Sequence, residues 1–148
     1  IRADLRNLPF HDDAFDLVWN AGVMEHFSPD ELAMGLREMR RVSRKYVAVF
    51  VPFDGCVPYK VAKLISEAEG TWEWGRETPR RRLRIEFTTA GLDVIDEYAL
   101  GRRTNIPLSY LRLMPKHIAE EFARDFQTRR HFYQGVSLAT IGVKRGNR

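Results

Sequence analysis

Apolar positions fall along this chain in alternating short runs and helical stripes. Phe15 to Asn20 (FDLVWN) is a compact apolar run entered from the polar turn at His11, Asp12 and Asp13, and it predicts a strand. Ile1 to Leu5 has room only for the end of another. Ser28, Pro29, Asp30 and Glu31 then spell a helix start. Serine caps free amides, proline suits the first helical position, and Glu31 can close a capping box. Leu32, Leu36, Met39 and Val42 follow at i, i+4, i+7 and i+10 as one buried stripe, which leaves Arg37, Arg40 and Arg41 facing water.

Tyr46 to Pro52 (YVAVFVP) is β-branched and aromatic, as suits a strand covered on both faces of a parallel sheet. Val61, Leu64, Ile65 and Ala68 recur at helical spacing before a stop at Gly70. Thr78 and Pro79 read as the opening of a further helix, with Leu83, Phe87 and Ala90 inward and Gly91 as its end. Leu92 to Leu100 alternates like a strand. Pro115 to about Arg130 places Ile118, Ala119, Phe122, Ala123 and Phe126 on one helical face, and Val136 to Val143 (VSLATIGV) closes the series as a strand. Strands alternating with helices predict an α/β fold, a largely parallel sheet flanked by helices. Residues 101–135 separate the last two strands and are expected to pack as a helical cap within a single domain spanning 1–148.

Composition narrows the class without naming a function. At 148 residues, 44% apolar and 30% charged, the chain suits one globular domain with a real core, a composition that argues against disorder. No window nears the roughly 18 apolar residues that a membrane helix needs, so no membrane is expected. The chain opens on no charged-then-apolar leader. The single Cys56 has no internal partner, which fits a reducing cytoplasm. A net charge of +4 is too mild and too dispersed to indicate nucleic acid. The densest basic cluster, Arg80, Arg81, Arg82 and Arg84, reads as a solvated face, and RNA remains an alternative partner only on its account.

The opening third carries an ordered set of short motifs: Asp4-Leu5, Leu8-Pro9-Phe10, Asp13, Phe15 to Val18, Gly22 to His26 (GVMEH), Glu38 to Val42 (EMRRV) and Val51-Pro52. In this order and spacing they resemble the second half of a class I S-adenosylmethionine-dependent methyltransferase domain of the type 11 kind. The resemblance implies a partial Rossmann-like sheet, mostly parallel with its last strand antiparallel, and S-adenosyl-L-methionine as cofactor. Such domains begin with a strand and a Gly-x-Gly turn that lets backbone amides approach the cofactor. None of the ten glycines here is spaced in that way. At about 30 residues per βαβ unit, some 60 to 90 residues are expected upstream. The chain is therefore read as N-terminally truncated and by itself inactive, from a parent methyltransferase that acts on a small-molecule acceptor.

The resemblance also implies roles. Asp4 corresponds to the acid that accepts from the adenine amine, and Leu5 to the residue whose amide meets the ring. Asn20, Ala21 and Gly22 close the next strand, where the methionine part of the cofactor lies. Glu25 and His26 match the end of a Glu-x-x-Glu-His run that binds metal in ubiquinone-type and small-RNA methyltransferases. Gly22 stands where the first of those glutamates belongs, so no metal is expected. His26 is a candidate base and Glu25 a weaker one, beside the plainer reading of both as helix-entry residues. Trp72 and Trp74 are candidates for an aromatic wall over a substrate, or a seal on the sheet edge. Tyr59, Tyr110 and His117 are further proton acceptors without positional support. Missing strands would leave apolar edges bare, so self-association through an exposed strand edge is expected. A non-catalytic methyltransferase-like subunit is the rival reading.

Overall fold

The computed structural model describes residues 1–101, 109–128 and 135–146. Among the described residues four strands form one sheet: β1 (Phe15–Ala21), β2 (Ser43–Pro52), β3 (Leu92–Leu100) and β4 (Ser137–Lys144), in the order β1-β2-β4-β3. β1 and β2 are parallel, and β4 runs antiparallel to both β2 and β3. Three strands thus share a direction and the last opposes them, as the sequence led us to expect.

Parallel neighbours need a crossover, and α1 (Pro29–Val42) supplies it between β1 and β2. Its start is the expected capping box. Ser28 Oγ accepts from the Glu31 amide at 3.3 Å, and Glu31 Oε2 accepts from the Ser28 amide at 2.9 Å. Leu32, Leu36 and Met39 of α1 are buried with Val47, Val49 and Val51 of β2, Leu138 of β4, Phe87 of the short helix α3 (Arg84–Thr89) and Leu83 at its start. Gly142 lets the Phe87 ring lie flat on the sheet, since a Cβ there would sit 2.7 Å from Phe87 Cδ1.

The opposite face is less covered than predicted. Along β1, Val18 and Asn20 turn towards α1, whereas Leu17 is 51% and Trp19 62% exposed. Both α1 and α3 lie on the other side, so these two side chains are only partly covered, Trp19 by the edge-on Phe50 ring at 6.3 Å.

Other local expectations also change. Ile1 to Leu5 is not a strand end. It enters a turn in which the Asn7 amide donates to the Asp4 carbonyl at 3.0 Å. No helix opens at Thr78. The Arg80 amide instead donates to the Pro52 carbonyl at 2.9 Å, and its own carbonyl accepts from Asp54 at 3.1 Å, which ties this stretch alongside the end of β2. In α2 (Val57–Ala68) the buried stripe is Tyr59, Ala62 and Ser66, and Leu64 points outward. Arg41 is a strut rather than a solvated side chain, donating to the Leu8 and Phe10 carbonyls and to Glu38 and Asp12. Of residues 101–135, the described part holds a 3-10 turn at Tyr110–Leu113 and α4 (Lys116–Thr128), on which Phe126 is buried. Residues 102–108 and 129–134 lie outside the described residues. No described helix is long and apolar enough to cross a membrane.

Candidate functional site

Two clefts flank the carboxyl end of β1, the end at which open α/β sheets bind ligands. Asn20 and Val23 line the first, and the Ala21–Gly22 turn between them in the chain lines the second. Gly22 adopts φ +73°, a left-handed conformation that side chains with a Cβ rarely take, and its amide donates to the Phe50 carbonyl at 3.3 Å. The turn leads at once into a single 3-10 turn, Met24–His26.

The first cleft, about 600 Å3, is lined by Asp4, Leu5, Asn20, Val23 and Phe27, with Arg2, Ala3, Arg6 and Leu8. It brings together three of the five residues assigned to the cofactor. Asn20 is 8% exposed; its amide nitrogen donates to Met39 Sδ at 3.0 Å, while its Oδ1 is buried with no partner among the described residues. An orphaned acceptor at a strand end fits a site that a polar ligand completes. The Asp4 carboxylate is largely committed already. It accepts from the Arg6 amide at 2.9 Å and from Arg6 Nη2 at 2.7 Å, and these bonds hold it at a pKa of about 2. Arg6 is held in turn by Glu31 of the capping box.

The second cleft, a cavity of about 280 Å3, takes in Ala21 and Gly22 from the turn, then Glu25, Tyr59, Trp72, Trp74, Glu77 and Tyr110. Glu25 is 3% exposed, and its Oε2 has no hydrogen-bond partner among the described residues. Burial raises its pKa above the ordinary carboxylate range, and the nearby Glu77 pushes the same way. Glu25 is thus a buried carboxyl group in a cavity wall, within the 3-10 turn that precedes α1. Its backbone carbonyl accepts from the Thr78 amide at 2.8 Å, which moors the loop after α2 against this turn.

His26 is exposed. Its Nδ1 donates to the Arg76 carbonyl at 2.7 Å, because a carbonyl can only accept; in the neutral ring Nε2 is then the acceptor. Ligand atoms of Glu25, His26 and Glu77 lie within 4.8 Å of one another, so folding adds a third candidate ligand to the pair seen in the sequence. Glu77 was not anticipated, and nothing in its local sequence marks it out. The Trp72 and Trp74 ring centroids are 4.6 Å apart, and Tyr59 packs edge-on between Trp72 (6.0 Å) and Tyr110 (5.3 Å). The Trp72 Nε1 is buried without a partner among the described residues.

Tyr59 is buried and Tyr110 half-buried at the second cleft. Burial drives both hydroxyls upward, and Tyr59 donates its proton to Glu77 Oε2 at 3.0 Å. His117 is exposed on α4, away from both clefts. Cys56 is buried and its thiol is pushed up by burial, so it packs as a small apolar group. Arg81, Arg82 and Arg84 are exposed, and Arg81 is paired with Asp54 at 3.1 Å.

Residues 1–51 match the family model described as a methyltransferase domain. No curated protein sequence matches the chain. Among solved structures, one similar chain belongs to the complex between the Haloferax volcanii Trm112 methyltransferase activator and a putative methyltransferase. It shows 21% identity and a TM-score of 0.61 over 99% of this chain and 60% of that one. A possible histamine N-methyltransferase from Thermotoga maritima aligns at 16% identity and a TM-score of 0.60, over 98% of this chain and 63% of that one. Magnesium protoporphyrin IX methyltransferase from Synechocystis, with bound S-adenosylhomocysteine, aligns at 12% and 0.54 over 96% and 49%. The chain therefore spans about half to two thirds of the length of these structures. Its first third matches a methyltransferase domain in sequence, and the chain has the fold of the class I S-adenosylmethionine-dependent methyltransferases.

Proposed function

We propose that this chain belongs to an enzyme that transfers a methyl group from S-adenosylmethionine to a small-molecule acceptor, with the cofactor in the cleft of Asp4, Leu5 and Asn20 and the acceptor in the cavity of Glu25. The observation that carries the reading is the adjacency of the two clefts across the Ala21–Gly22 turn. Such adjacency is what a direct displacement between two bound molecules requires. When bound, the cofactor supplies an already activated methyl group, so the protein mainly has to position the partners and manage a proton.

The residues divide accordingly. The Leu5 backbone and the free Asn20 Oδ1 offer polar contacts to the cofactor. Asp4 can add to them only by sharing a carboxylate that Arg6 already occupies. The glycine turn permits close backbone approach, and the aromatic wall keeps water from the acceptor. Glu25, with its pKa raised by burial, is placed to hold or take a proton at Oε2. His26 Nε2 is the second acceptor at this end.

The fold neighbours are markedly longer than this chain, so the reading applies to the parent protein, with the isolated chain inactive. Calorimetric titration of S-adenosylhomocysteine into the full gene product and into this chain is the test. Tight binding by the first and none by the second is expected; absence of binding by the full product would end the reading. We also assign the exposed face of β1 to contact with a second copy of the chain, on the strength of Leu17 and Trp19 beside an unpaired strand edge.

A further inference from the structure

We infer that the Glu25 cavity takes an organic ammonium group, so that the acceptor is a small alkylated or primary amine compound rather than a neutral or anionic one. The inference builds on the assignment of this cavity to the acceptor.

Four observations lead there. Glu25 is 3% exposed and presents an Oε2 with no partner among the described residues, so a buried acceptor is left for a ligand to satisfy. Glu77 lines the same cavity, which has two carboxylates and neither lysine nor arginine in its described lining. Its remaining walls include the faces and edges of Tyr59, Trp72, Trp74 and Tyr110, packed edge to face at 4.6–6.0 Å between centroids. Aromatic rings attract cations through their quadrupole, and quaternary ammonium groups are commonly held in such cages. Trp72 already acts in this way, since Lys63 Nζ lies 5.0 Å from its ring centroid. That lysine is ion-paired with Glu67, so it carries its own counter-charge.

A hard metal ion suits the cavity less well. Magnesium and calcium are held by shells of six or more oxygens, whereas the described lining here offers two carboxylates and the Ser137 hydroxyl among five aromatic residues. His26, the third candidate ligand, is exposed and lies outside the cavity lining. At about 280 Å3 the space is far larger than one ion and sits just below the usual range for small-molecule pockets, roughly 300–1,000 Å3. The buried Trp72 Nε1–H also lacks a partner and can be served by an oxygen on the same ligand. Charge, shape and orphaned atoms together favour an amino alcohol or a similar compound.

Choline and its neutral carbon isostere, 3,3-dimethylbutan-1-ol, are the probes, titrated into this chain and read by tryptophan fluorescence. Choline is expected to bind at least about tenfold more tightly than the isostere. Glu25→Gln should erase that preference while the far-ultraviolet circular dichroism stays unchanged. Should that variant misfold, Glu77→Gln, which can still accept from Tyr59, is expected to reduce the preference. Equal affinity for the two probes, no response to choline, or quenching by magnesium or zinc that choline cannot compete with would each overturn the inference. Cofactor titration separates the two readings. Choline preference without cofactor binding by the full gene product defeats only the methyltransferase assignment, and the converse defeats only this one.

Discussion

The Tyr59 hydroxyl donates to the Glu77 carboxylate at 3.0 Å, and this bond ties the first turn of α2 to the loop that carries Trp72 and Trp74. The next residue, Thr78, moors the same end of the loop through its amide on the Glu25 carbonyl. The stretch that follows Trp74 is therefore held by two successive residues, one on α2 and one on the Glu25 turn. Replacing Tyr59 by phenylalanine removes the donor but keeps the ring. Thermal unfolding should show a loss of about 1–2 kcal/mol, with the tryptophan emission shifted to the red as the loop loosens. An unchanged emission maximum would mean that packing alone orders the wall.

Gly22 tests how the turn aims Glu25. At φ +73° an alanine costs about 1–2 kcal/mol in backbone strain, although its Cβ would meet only Glu25 Oε1, at 3.8 Å. Gly142→Ala is the contrasting case, an overpacking fault worth about 1–3 kcal/mol, because its Cβ would collide with the Phe87 ring. Urea denaturation should show both losses. Only the Gly22 variant should also alter ligand binding in the cavity.

Acidity gives a third expectation. Burial raises the Glu25 pKa in the folded chain, so the folded state holds this proton over a range in which the unfolded state has lost it. Its contribution to stability must then fall as pH climbs from the ordinary carboxylate value to the raised one. Glu25→Gln should match the parent at low pH and become the more stable of the two above that window. Asp4, Glu31 and Glu38 act in the opposite sense, since their lowered values favour folding above the ordinary range and the benefit is lost on acidification. Subtracting the variant's stability-versus-pH curve from the parent's isolates the Glu25 part. A flat difference would contradict the burial of this carboxyl group.

The exposed side of β1 supplies the fourth. Leu17 and Trp19 should drive association between copies, so light scattering at rising concentration is expected to show dimers or larger species. Trp19→Arg should shift the population towards monomer without altering the helix content. A parent chain that stays monomeric at every concentration would dismiss the contact.

Local signals were the legible ones. Ser28 and Glu31 announce the capping box because the bond spans three residues, and the β4 run was visible as a strand because its pattern is internal. The same locality misled at Thr78–Pro79. Proline there fits a helix start equally well, yet Arg80 finds its partners on Pro52 and Asp54 instead. The phase of α2 was misjudged for a related reason: Leu64 suits an inward stripe, but the inward position goes to Tyr59, which answers to Trp72, Glu77 and Tyr110 from distant parts of the chain. Glu25, Trp72 and Trp74 each stand out in the sequence on their own. What gathers them into one cavity with Glu77 is tertiary, and no spacing rule encodes it.

The position of β4 has a consequence for how the molecule comes into being. β3 joins the sheet only through β4, which follows it in the chain yet lies between it and β2. On the ribosome, β1 and β2 can meet early, but β3 must wait, its edges open, until the closing strand emerges and slots between. A nascent chain stalled short of Ser137 would expose both β2 and β3 to whatever strand came by, which makes those last residues the keystone of assembly.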